Sequence, residues 1–146
     1  MQEINATMRK FGAPESSVQD YSCWNALLRP VQVTLGSLVL VAYEPVKAFS
    51  ELGPASFSEL RKVIGDAETA LKKAFAFDKI NYLMLMMVDP DVHFHVIPRY
   101  AGPRQFRDQT FSDAGWPGIP ELQRPNVTDA QTNQAIFKRV AAAWPV

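Results

Sequence analysis

Histidine and cysteine are the scarcest reactive residues in this chain of 146: there are two of the first and one of the second. The single thiol, Cys23, can close no intrachain disulfide and form no thiolate metal cluster. Neither charge is in excess, with 15 basic residues against 15 acidic ones. Nothing therefore favours wrapping around nucleic acid, and little long-range repulsion opposes self-association. Long hydrophobic runs are missing too. The longest, Tyr82 to Val88, is far too short to cross a bilayer, and MQEINATMRKFG lacks the apolar stretch of a secretory leader. These absences set the expectation of a cytoplasmic protein that binds neither nucleic acid nor membrane. Hydrophobic residues at 47% and charged ones at 21% suit one globular domain over residues 1–146.

What is present reads as alternating helices and strands. Residues 2–11 can form a short amphipathic helix with Ile4, Met8 and Phe11 on one side, broken by GAPESS. Tyr21 to Leu28 and SLVLVAY (37–43) read as strands. A helix is expected from Ser56, where Ser56 and Glu59 have capping-box spacing; Leu60, Val63, Ile64, Ala67, Leu71 and Phe75 mark its apolar face. INYLMLMMV (80–88) is apolar on both faces, which predicts a central strand covered on both sides. VDPD is a turn, VHFHVI (92–97) a returning strand stopped by Pro98, and 101–127 a loop. A last helix, capped through Thr128 and Gln131, carries Ile136, Phe137, Val140, Ala141 and Trp144. The order fits an α+β class, an antiparallel sheet with helices packed on one face.

Both histidines fall in one stretch, DPDVHFHVIPRY (89–100). On a strand, Asp91, His93 and His95 share a face, roughly 6–7 Å apart, while Val92, Phe94 and Val96 face the core. Three readings stand side by side. The histidines decorate a solvent-facing strand; or Asp-x-His-x-His presents metal ligands, for which no third histidine exists and Asp89, Asp108 and Asp113 are candidate helpers; or a neutral imidazole attacks phosphorus. The last requires two rings held toward an open cavity.

DVHFHVIPRY resembles the motif of the histidine triad (HIT) family, His-φ-His-φ-His-φ-φ followed by Pro-Arg, with Asp91, His93 and His95 at the three positions. RPVQVTLGSLVLV is similar to the family's proline, short connection and glycine, at Pro30 and Gly36. The long helix after FSEL and the strand with Asn81 follow in family order, and Trp116 to Gly118 is similar to the WPG motif of one bacterial branch. The likeness covers about residues 20–100, with 101–146 as a C-terminal loop and helix. Asp91 replaces the first histidine, Ser37 stands where many members have another, and VDP takes the place of the Gly-x-x-Ala-Gly-Gln loop. A short-loop branch shares such features.

The resemblance implies a HIT-like antiparallel fold and a hydrolase or nucleotidyl transferase acting on a phosphoanhydride, such as a dinucleoside polyphosphate, or a phosphoramidate. His93 matches the nucleophile and His95 the residue that orients and polarises. Asp91, Asn81, Ser37, Arg99 and Trp116 are candidates for substrate binding, although a solvated surface arginine is the simpler expectation for Arg99. The Asp91 charge should repel a polyphosphate. No cofactor or metal is required; Mg2+ would enter only with the substrate. A homodimer is implied. Two other classes stay open: a nucleotide-binding protein without turnover, and a metal-binding strand protein.

Overall fold

The computed structural model describes residues 2–146. Five strands form one antiparallel sheet in the order β1-β2-β3-β5-β4: β1 Ser17–Asp20, β2 Trp24–Leu28, β3 Leu38–Ala42, β4 Lys79–Leu83 and β5 His93–Arg99. Helices α1 Ala6–Lys10, α2 Pro54–Phe75 and α3 Ala130–Ala143 complete the frame, with a small hairpin of β6 Arg104–Phe106 and β7 Gln109–Phe111.

Strand alternation decides what each sheet face holds. Trp24, Ala26, Leu28, Leu38, Leu40 and Val96 point to one side, where Val63, Ala67, Leu71 and Phe75 of α2 and Ile136 and Val140 of α3 complete the main core. Gly36 makes the close approach of α2 possible. It lies at φ +89°, and a Cβ there would sit 3.0 Å from both Leu71 and Phe75. Trp24 donates its indole N–H to the Ser56 carbonyl at 2.8 Å, tying sheet to helix. The opposite face carries Leu27, Val39 and Val41 under Met8, Phe11 and Ala13 of the N-terminal segment.

Several local expectations are corrected. α2 starts at Pro54 and not Ser56, because Glu44 reaches over from the preceding loop. Its carboxylate accepts from Gly53 N–H at 2.8 Å and from the Ser56 hydroxyl at 3.0 Å, while Glu59 turns to Cys23 N–H. α3 is capped by Asp129, not Thr128. β1 begins at the last residue of GAPESS, where no strand was expected, and forms a hairpin with β2. Residues 104–111, read as loop, form the second hairpin and bury Phe106 and Phe111.

The largest difference concerns β4. It ends at Leu83 and lies at the sheet edge, because β5 takes the central place between β3 and β4. Ile80, Tyr82, Met84 and Met86 lean on the core, but Leu85, Met87 and Val88 are exposed. Pro98 does not stop β5. It sits beyond the last β3 pair, Leu38 with Val96, so β3 asks no N–H of it, and its carbonyl accepts from Thr34 at 2.5 Å.

Candidate functional site

β5 is bonded on both edges, His93 opposite Val41 and His95 opposite both Val39 and Leu83. Both imidazoles therefore stand on a rigid central strand and share one face with Asp91. Their ring centroids are 5.1 Å apart with planes at 85°.

The His93 ring has a defined orientation. Its Nδ1 lies 2.7 Å from the Asp91 carbonyl oxygen. A carbonyl only accepts, so Nδ1 carries the proton and Nε2 is left with its lone pair. Among the described residues Nε2 has no hydrogen-bond partner. Asp91 thus acts on His93 through its backbone. Its carboxylate turns away, accepting from Thr7 N–H at 3.2 Å and the Thr7 hydroxyl at 2.9 Å, and pairing with Lys47 at 3.2 Å. Burial alone would raise this carboxyl; the Thr7 bonds and the Lys47 charge outweigh it and hold it below the usual carboxylate range. The negative charge expected to oppose a polyphosphate is therefore locally neutralised.

His95 is pushed down to about 4, first by burial and then by the nearby charge of Arg29. At neutral pH it is an uncharged ring, able to donate one N–H. Among the described residues no three His, Cys, Asp or Glu side chains are grouped to hold a metal ion.

No family model matches the sequence, and no curated protein does. Solved structures do. A histidine triad protein from Bradyrhizobium japonicum superposes with a TM-score of 0.75 at 21% identity, over 97% of each chain. One from Sinorhizobium meliloti gives 0.74 at 20% identity, over 97% of this chain and 96% of the other.

This is the histidine triad fold. A zinc-bound histidine triad family protein from Mycobacterium smegmatis shares it at greater distance, with a TM-score of 0.59 and 12% identity over 93% and 91% of the two chains. At such identities what is shared is the fold, so the chemistry rests on this chain's own residues.

Within the histidine triad frame the other candidates separate from the two rings. Arg99 is 3% exposed and not the solvated arginine expected. It lies four residues beyond His95, about 13 Å along the strand. Its guanidinium donates to both Asp113 oxygens, at 2.7 and 3.0 Å, to Asn81 Oδ1 at 2.7 Å and to the Gly118 carbonyl at 2.9 Å. Arg99 therefore commits four of its five N–H donors, one of them to Asn81 Oδ1, to bracing the loop that carries the half-buried Trp116 against β4. Ser37 is fully buried, donating to the Thr34 carbonyl at 2.8 Å and accepting from its N–H at 3.0 Å.

Neither histidine faces an open cavity. His93 is 2% exposed and His95 8%, and the Phe11 ring lies over both, its centroid 6.3 Å from His93 and 5.7 Å from His95. A surface cleft of about 400 Å³ between Gly12, Pro30 and Phe137 includes neither ring. The residues that close and tune the site, Thr7, Phe11, Arg29 and Lys47, escaped sequence reasoning. Phe11 stood out only as part of an amphipathic stripe and Arg29 only as the residue before Pro30. Nothing in their spacing links them to position 93.

Proposed function

We propose that this protein is a nucleotide hydrolase or nucleotidyl transferase that works through a nucleotidyl-histidine intermediate. The observation that carries the reading is the 2.7 Å bond from His93 Nδ1–H to the Asp91 carbonyl, which fixes the tautomer and leaves Nε2 nucleophilic. Nε2 attacks the α-phosphorus of a nucleotide phosphoanhydride, such as a dinucleoside polyphosphate, or of a phosphoramidate. The bond from phosphorus to the leaving group breaks as the P–N bond forms. Positive charge then develops on the ring, and the Asp91 carbonyl faces it. Water attacks the same phosphorus, the P–N bond breaks, a nucleoside monophosphate departs and the ring is again neutral. His95, uncharged at neutral pH, donates its N–H to a phosphoryl oxygen or the leaving group. No cofactor enters these steps; Mg2+ accompanies the substrate's phosphates.

Incubating the protein with a panel of adenylated substrates tests the reading. Wild type should release AMP and, after acid-free quenching, carry one adenylyl group on His93. Equal turnover by His93→Ala would end the assignment.

The same reading has the protein acting in the cytoplasm as a homodimer. The free β4 edge and exposed Leu85, Met87 and Val88 support self-association. Light scattering at micromolar concentration should give twice the chain mass; a monomer mass would remove that part. One observation favours a second reading, nucleotide binding without turnover: His93 is all but sealed beneath Phe11. That reading requires a nucleotide-dependent rise in melting temperature with no product formed.

A further inference from the structure

What seals His93 and His95 is a slight piece of chain. α1 is a five-residue helix, and its main apolar anchors, Met8 and Phe11, rest on Leu27, Val39 and Val41. The remaining ties are polar, and most end on residues beside the histidines. Thr7 donates to the Asp91 carboxylate through its N–H and hydroxyl, and the same hydroxyl oxygen accepts from Asp91 N–H at 3.1 Å. Lys10 pairs with Asp89 at 2.8 Å from a side chain that is 51% exposed. Asn5 donates its amide to the Ala42 carbonyl at 2.9 Å. Gly12 follows at φ +90°, a backbone setting that side chains oppose and a natural pivot. Local elements held by few apolar contacts and some exposed polar ones open at much lower cost than the whole fold.

A second observation comes from the other side of Phe11. The Arg29 guanidinium lies 5.9 Å from the Phe11 ring, and its Nε is wholly buried with no hydrogen-bond partner, the one such side-chain atom among the described residues. A buried donor left unpaired is costly. An anion arriving where Phe11 now lies would supply the missing acceptor. The lysines nearby are engaged, Lys10 by Asp89 and Lys47 by Asp91.

We propose that residues 5–12 form a lid over His93 and His95, and that it opens to admit an anionic substrate whose oxygen takes the free N–H of Arg29. The identity of that substrate as a nucleotide phosphate rests on the function proposed above; the lid does not. Closure excludes water from the nucleophile until the anion displaces Phe11.

Because the chain has two histidines and both lie beneath this segment, diethyl pyrocarbonate reports on the lid alone. Carbethoxylation, followed at 240 nm, should be much slower in the protein than in free N-acetylhistidine. Phe11→Ala should react at least about tenfold faster. Lys10→Ala removes an exposed latch without endangering the fold and should raise the rate about two- to fivefold. Wild type reacting as fast as free imidazole, or both variants reacting at the wild-type rate, overturns the lid. Inorganic pyrophosphate should speed amide hydrogen exchange at residues 7–11 in wild type but not in Arg29→Gln. Equal response in the two, or none in wild type, removes the role of Arg29. A lid that passes these tests in a protein without nucleotide turnover would sink the proposed function and leave the lid standing.

Discussion

The two faces of the sheet are built to different standards. One is closed by a 22-residue and a 14-residue helix, and its residues, Trp24, Leu40, Leu71 and Ile136 among them, are fully buried and almost wholly apolar. The other is covered by a five-residue helix and holds two imidazoles, a carboxylate and an unpaired guanidinium nitrogen. Burial at roughly 25 cal/mol per Å² of apolar surface makes the first face the source of stability. That margin lets the second face keep groups no core would choose. A fold that separates its apolar core from its polar groups in this way can have the polar face altered without losing its shape.

The contrast can be broken in order of expected effect. His93→Ala should lower nucleotide turnover by at least about a thousandfold while the circular dichroism spectrum stays that of wild type. Turnover that survives would reduce the polar face to decoration. Arg99→Ala should cost about 3–5 kcal/mol by urea denaturation, since it leaves Asp113 charged and buried without its partner. Leu71→Ala on the helix face should cost about 2–5 kcal/mol. If Val39→Ala beneath α1 cost more than Leu71→Ala, the ranking of the faces would be reversed.

Acid should act mainly on the polar face. His95 titrates at about 4 when folded, lowered by burial and by Arg29, His93 and Lys10 against the opposing pull of Asp89. The unfolded ring, near 6.5, takes up a proton that the folded one refuses, so stability falls as pH drops from about 6.5 to about 4. The total is up to about 3 kcal/mol. Asp91, held below its ordinary range, adds a further loss only at lower pH. Melting curves of His95→Phe should be flatter across the first window; an unchanged slope would assign the acid response elsewhere. The smallest effect belongs to the exposed Lys62–Asp66 pair on α2, where Lys62→Ala should shift stability by less than about 0.5 kcal/mol. A larger shift would show that the helix face depends on charge as well as burial.

Periodicity made the helix face legible. The stripe from Val63 to Phe75 placed α2, and period-two alternation put Phe94 and Val96 inward and His93 and His95 together on the opposite face. β4 was misread because an apolar run looks the same whether a strand is central or borders the sheet with exposed Leu85 and Met87. The cap of α2 was misread for a similar reason. Ser56 and Glu59 have the right spacing, but Glu44, twelve residues before Ser56, takes the Gly53 N–H and the Ser56 hydroxyl instead.

Short-range order, then, was determined by the sequence itself: which side chains share a face of β5, where helical stripes run, and that two imidazoles stand side by side. Those follow from fixed strand and helix repeats, which act over a few residues. Only the tertiary structure decided the chemistry those imidazoles can do. Thr7 meets Asp91 across 84 positions of chain, Phe11 lands on His93 and His95, and Arg29 is left with a donor to give. Such meetings depend on how a long chain closes on itself, and no local repeat encodes them.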